Sequence, residues 1–171
     1  MKEVDIAIIM GSDSDLPQME DGIRLLRDFG VPFIVEVSSA HRTPERTIQL
    51  IRDFEKVDGK VIIAAAGGAA HLPGVISAHT RLPVLGVPIP SALNGLDSLL
   101  AMVQMPGGIP TAVFGIGKSG AVNAALFALQ ILALARPELG EKLDTFREEQ
   151  RLGVETKNRR LQKKVEDLRE S

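Results

Sequence analysis

Cysteine, tyrosine and tryptophan are all absent from the 171-residue chain, and six phenylalanines are its only aromatic residues. Without cysteine there can be no disulfide and no thiolate metal site. Without Tyr or Trp, a flavin carrier loses the flat rings that usually lie against its isoalloxazine. An excess of one charge is also missing. The formal net charge is −2, which gives no electrostatic case for nucleic acid or for an anionic membrane as partner. The most apolar stretch, residues 121–135, is interrupted by Asn123 and Gln130 and is too short to span a bilayer. Lys2 and Glu3 follow Met1 with no apolar signal core behind them, so the expected location is cytoplasmic.

What remains is a globular composition, 44% hydrophobic and 25% charged, of a length suited to one domain. Alanine and glycine fill much of the space that aromatics leave, most densely over residues 64–70. The Ile-rich run over residues 4–10 predicts a strand buried on both faces, and the runs over 31–37, 61–66, 83–87 and 111–115 predict four more strands. Between them lie segments with helical spacing. One runs from Leu16 and is stopped by Gly30; another is opened by Pro44 and carries Ile48, Ile51 and Phe54. Alternation at this spacing predicts an α/β, three-layer αβα domain with a flavodoxin-like five-stranded parallel sheet. Residues 1–135 form the expected α/β core and 136–171 a long, highly charged helical extension. That extension is either one helix or two pieces hinged near Gly153, suited to contacts between subunits or to folding back on its own domain.

In such a sheet, ligands bind beyond the carboxyl ends of the strands. Each small-residue motif follows a strand, so the motifs gather along one edge. Gly11-Ser12-Asp13-Ser14-Asp15 lies between a strand and a helix N-terminus, a natural anion site. There Ser12 can donate to phosphate and Asp15 can accept from ribose hydroxyls, although Ser and Asp are also favoured helix caps. Ser39-Ala40-His41-Arg42-Thr43-Pro44 follows the second strand. Arginine is a charged fork for phosphate and histidine is the side-chain type best suited to carry protons near neutrality, which makes Arg42 and His41 candidates for those two roles. His71 stands in the glycine-rich turn after the third strand. His41, His71 and Asp15 alone would make a poor metal set, and no metal is expected. His79, within a helical stretch, is expected to be structural.

Two further patterns fail. Gly115-Ile116-Gly117-Lys118-Ser119-Gly120 resembles a phosphate loop, but Ala112 stands where the first glycine belongs. Asp13, Asp15 and Lys118 mimic a phospho-receiver domain, but Ala66-Gly67-Gly68 stands where that domain needs its acceptor aspartate.

These motifs, together with Ser91-Ala92-Leu93-Asn94-Gly95-Leu96-Asp97-Ser98-Leu99 and Gln104-Met105-Pro106-Gly107-Gly108-Ile109-Pro110, closely resemble the N5-carboxyaminoimidazole ribonucleotide mutase family of purine biosynthesis. The likeness spans residues 4–135 in order; the charged tail is undistinctive. It implies an isomerase that moves a carboxylate from the exocyclic nitrogen to ring carbon C4, without metal or organic cofactor. It also implies a homo-octamer whose C-terminal helices touch other subunits. Carried over by motif, Ser12, Ser14, Asp15 and Arg42 bind the ribose phosphate, His41 is the general acid/base, and Gly68 and His71 line the pocket around base and carboxylate. A second branch of the family carboxylates aminoimidazole ribonucleotide directly with carbon dioxide. It departs in the loop after the third strand, where this chain keeps Gly67-Gly68-Ala69-Ala70-His71-Leu72-Pro73-Gly74. A non-catalytic nucleotide-binding module is the more distant alternative.

Overall fold

The computed structural model describes residues 4–170. Five parallel strands form one sheet: β1 (Ile6–Met10), β2 (Phe33–Val37), β3 (Val61–Gly67), β4 (Val84–Ile89) and β5 (Ala112–Val113). Their order is β2-β1-β3-β4-β5, the flavodoxin-like arrangement, with its switch point between β1 and β3. Helices α1 (Leu16–Phe29), α2 (Pro44–Lys56), α3 (Leu72–Ser77), α4 (Leu96–Val103) and α5 (Lys118–Ala133) cover both faces, and α6 (Pro137–Glu170) ends the chain. The chain divides into two compact units, one up to Ile131 and one from Leu132 onward.

The central strands are the most apolar because water reaches neither of their faces. All of β1 is buried, as is all of β3 except Gly67. The register pairs Ala7 with Ile62 and Ile9 with Ala64, which puts these four residues on one face. Ile51 and Phe54 of α2, Ile76 of α3 and Met102 of α4 close over that face. Burying one such large side chain contributes about 1.5–3 kcal/mol. Met19 and Leu26 of α1 and Ala125 and Leu129 of α5 are buried too, outside that cluster. α1 and α5 approach so closely that a methyl on Gly22 would stand 2.6 Å from the Ala121 carbonyl oxygen.

One expectation changes. The fifth strand keeps only two of its five expected residues, because Pro110 has no N–H for a ladder and the glycines from Gly115 turn the chain away. Only Leu85–Ala112 and Gly86–Val113 pair across to β4. Of the two readings of the tail, the single long helix holds: α6 runs unbroken through Gly153. Ion pairs from Arg151 to Glu148, at 2.6 Å, and to Glu155 support the helix at that point. Beyond Leu143, only Phe146 and Val165 of α6 are even partly buried.

Candidate active site

Three loops leave the carboxyl ends of β1, β2 and β3 and enclose a cleft of about 330 Å³ at the switch point. Ser12, Asp15, His41, Arg42, Gly67, His71 and Leu72 are among its lining residues. A second cavity of about 450 Å³ adjoins it and shares Gly11, Ser12, Ser39 and Arg42 with it. The site is therefore bipartite, joined at Ser12 and Arg42, with the histidines at one end.

The first loop is a helix cap. The Ser12 hydroxyl accepts from the Ser14 N–H at 3.3 Å, and the Asp15 carboxylate accepts from the Ser12 N–H at 3.2 Å. This reciprocal capping box explains Ser12 and Asp15 structurally, yet both still face the cleft. Burial pushes the Asp15 carboxyl above its ordinary 3.8; the Ser12 N–H opposes that shift and the charge of Asp13 adds to it. Ser14 is not among the lining residues, and its hydroxyl donates to the Ser12 hydroxyl at 2.8 Å.

The second loop is held from beneath by three hydroxyls that sequence reasoning passed over. Ser38, buried, shares a 2.8 Å hydrogen bond with buried Thr47 and lies 3.4 Å from the Thr43 hydroxyl. The Thr43 hydroxyl in turn accepts from the Ser39 N–H at 3.0 Å. The Ser-Ser…Thr…Thr spacing across a strand-to-helix junction was the available signal. On this support Arg42 extends toward the cleft, donating weakly to the Ser39 hydroxyl at 3.4 Å and to the Gly11 carbonyl at 3.5 Å. Such long contacts leave its donors available to a stronger acceptor. Arg46, by contrast, is engaged with Glu36 at 2.9 Å.

The third loop turns through Gly68 and Ala70, both at positive φ (67° and 46°). Ala70 and Leu72 are buried on either side of exposed His71, so the backbone is anchored and the imidazole is presented outward. His71 Nδ1 lies 2.7 Å from His41 Nε2, with the rings edge to face at 85°. One ring nitrogen must donate and the other accept, so the pair holds one proton between them. Gly68 is not a lining residue; its N–H already donates to the Ser98 hydroxyl at 3.0 Å. The sheet-edge argument thus brings Ser12, Asp15, His41, Arg42 and His71 into one cleft and leaves Ser14 and Gly68 just behind it. Elsewhere, His79 lines a separate cavity and its Nδ1–H donates to the Val75 carbonyl at 2.9 Å. In the Gly115–Gly120 turn, a methyl on Gly120 would collide with the Gly115 carbonyl, so that glycine serves close packing.

Residues 5–152 match the family model described as AIR carboxylase. A protein of Pyrococcus horikoshii named N5-carboxyaminoimidazole ribonucleotide mutase is 54% identical over 158 residues, covering 92% of this chain and 88% of that protein. A mutase of the same name from Bacillus subtilis is 53% identical over 144 residues, covering 84% and 89%. Among solved structures, Treponema denticola PurE superposes with a TM-score of 0.80 at 28% identity, over 87% of this chain and 92% of that one.

Proposed function

The chain belongs to the AIR carboxylase family, and from that premise we propose that it is an isomerase converting N5-carboxyaminoimidazole ribonucleotide to 4-carboxyaminoimidazole ribonucleotide in purine biosynthesis. One observation carries the reading. The His41–His71 pair, 2.7 Å apart, stands in the same cleft as a serine, a carboxylate and an arginine suited to a ribose phosphate.

The chemistry follows from what must move. Breaking the N–CO2 bond of the carbamate returns the electron pair to the exocyclic nitrogen, which takes a proton. The electron-rich ring then attacks carbon dioxide through C4, and the C4 proton leaves. One proton is delivered and one removed, so a single general acid/base suffices, and that group is His41. A positioned acid/base of this kind contributes roughly 10²- to 10⁴-fold in rate. Arg42 and Ser12 take the phosphate, with Ser14 behind Ser12, and Asp15 takes ribose hydroxyls. His71 and the Gly67–Gly68 turn border the base and its carboxylate. Ala66, Ala70 and Leu72 offer an apolar wall at that end of the cleft, which holds carbon dioxide near C4 while the bond reforms.

The assembly is a homo-octamer in the cytoplasm. Supporting self-association, Leu96, Leu100 and Val103 of α4 are about half exposed at one-face helical spacing, an apolar stripe of the kind that can mark a protein contact. No helix among the described residues is long and apolar enough to cross a membrane.

Incubation with the carbamate substrate tests the function directly. The C-carboxylated product should form without added bicarbonate. Product from aminoimidazole ribonucleotide with bicarbonate, and none from the carbamate, would instead favour the direct carboxylase. Binding without conversion would favour the non-catalytic module.

A further inference from the structure

Ser98 lies in the first turn of α4, is completely buried, and takes no part in the chemistry above. Its hydroxyl accepts from the Gly68 N–H at 3.0 Å and donates to the Ile89 carbonyl at 2.8 Å. Gly67 and Ile89 form the last register pair between β3 and β4. The hydroxyl therefore stands where the next rung of that ladder would form, inserted between a donor on one strand end and an acceptor on the other. This wedge keeps Gly68 from closing onto Ile89. The chain instead turns through Gly68 and Ala70, both left-handed, with the Ala70 N–H donating to the Gly67 carbonyl at 3.2 Å. Ala70 is not a glycine, so its left-handed conformation is strained and persists only because its surroundings enforce it. The next residue is His71.

We infer that Ser98 is a positioning residue: its inserted hydroxyl sets the path of the 67–71 turn and thereby the alignment of His71 with His41. The inference rests on the isomerase reading for its kinetic consequence, but its structural consequence does not depend on the reaction. Without the hydroxyl, the part-buried Gly68 N–H and the buried Ile89 C=O lose the partner they share, and buried polar groups are rarely left unpaired. They close together, and the turn carrying His71 moves with them by a distance on the order of 1 Å, the usual scale at which misplacement costs about 10²-fold in rate.

The test compares Ser98→Ala with Ser98→Thr, which keeps the hydroxyl. In histidine-labelled free protein, NMR of the ring nitrogens should show the shared His41–His71 N–H in the unmodified protein and in Ser98→Thr, and its loss in Ser98→Ala. In Ser98→Ala, kcat should fall by about 10²-fold while affinity for ribose 5-phosphate, which lacks the base, stays unchanged, because Ser12, Asp15 and Arg42 do not move. Ser98→Thr should recover kcat. Should Ser98→Ala fail to fold, Ser98→Cys keeps the volume with a much weaker donor and should lose the shared N–H in the same way. A shared N–H and near-native kcat in Ser98→Ala or Ser98→Cys would overturn the proposal. Absence of turnover in the unmodified protein would instead remove the isomerase reading and leave the NMR comparison standing.

Discussion

Gly107 and Gly108 are neighbours in one exposed loop, and replacing each with alanine should move stability in opposite directions. An added methyl would meet nothing within 4 Å at either position, so packing cannot separate them. Backbone conformation does: Gly108 has φ +99°, while Gly107 lies outside the left-handed region. Gly107→Ala reduces the freedom of the unfolded chain and should stabilise by about 0.4–1 kcal/mol. Gly108→Ala gains the same amount but incurs about 1–2 kcal/mol of left-handed strain, for a net loss of roughly 1 kcal/mol. The gain cancels between the two variants, which should therefore differ by the strain alone, about 1–2 kcal/mol, or roughly 2–8 °C in Tm for a chain of this length. Gly22→Ala completes the series. Its φ is unrestricted, but its methyl would lie 2.6 Å from the Ala121 carbonyl oxygen and 2.9 Å from its carbon. Those are backbone atoms between packed helices, so the clash, about 1–3 kcal/mol or more, exceeds the roughly 1 kcal/mol that alanine gains over glycine in a helix. Calorimetric Tm values checked against urea midpoints would decide. Equal shifts for the Gly107 and Gly108 variants would refute the reasoning.

Three further outcomes are expected. Burial raises the Asp15 pKa above 3.8, so the folded state holds that proton more tightly than the unfolded chain, and stability falls as pH rises through the window above 3.8. Asp15→Asn should therefore raise Tm at neutral pH, lose that advantage as the pH approaches 3.8, and weaken ribonucleotide binding; a lower Tm at neutral pH would contradict this. Arg42→Ala should weaken binding by about 10- to 150-fold, the equivalent of one hydrogen bond to a charged group, when titrated calorimetrically with the ribonucleotide. The same variant should bind the phosphate-free riboside as well as the unmodified protein does, and an equal loss with both would remove the phosphate assignment. Leu100→Glu should break the assembly into smaller species by light scattering, and an unchanged mass would show that α4 lies outside the subunit contacts.

The strands were legible because central parallel strands leave no ambiguity of face: Ile-rich 4–10 and 61–66 can only be buried. The carboxyl-edge rule then brought His41 and His71 to one side, although 30 residues separate them. Their direct hydrogen bond was not legible, since it depends on the left-handed Ala70 and on the Ser98 hydroxyl, neither of which leaves a periodic signal. The Ser12–Asp15 loop shows the converse difficulty. Its residues suit both a helix cap and an anion site, and the fold uses them as a cap while keeping Ser12 and Asp15 on the cleft. The tail's spacing allowed either one helix or two pieces hinged near Gly153, and the single helix forms because one helical glycine costs only about 1 kcal/mol, which neighbouring helical residues offset.

The central claim is that His41 moves the protons while the rest of the cleft holds the nucleotide. Turnover of the carbamate substrate by His41→Asn, measured beside its affinity for aminoimidazole ribonucleotide, tests this most directly. Affinity should stay near that of the unmodified protein, while turnover falls by at least about 10²-fold, the lower range for losing a positioned acid/base. A variant that binds normally and still turns over at a near-native rate would contradict the account.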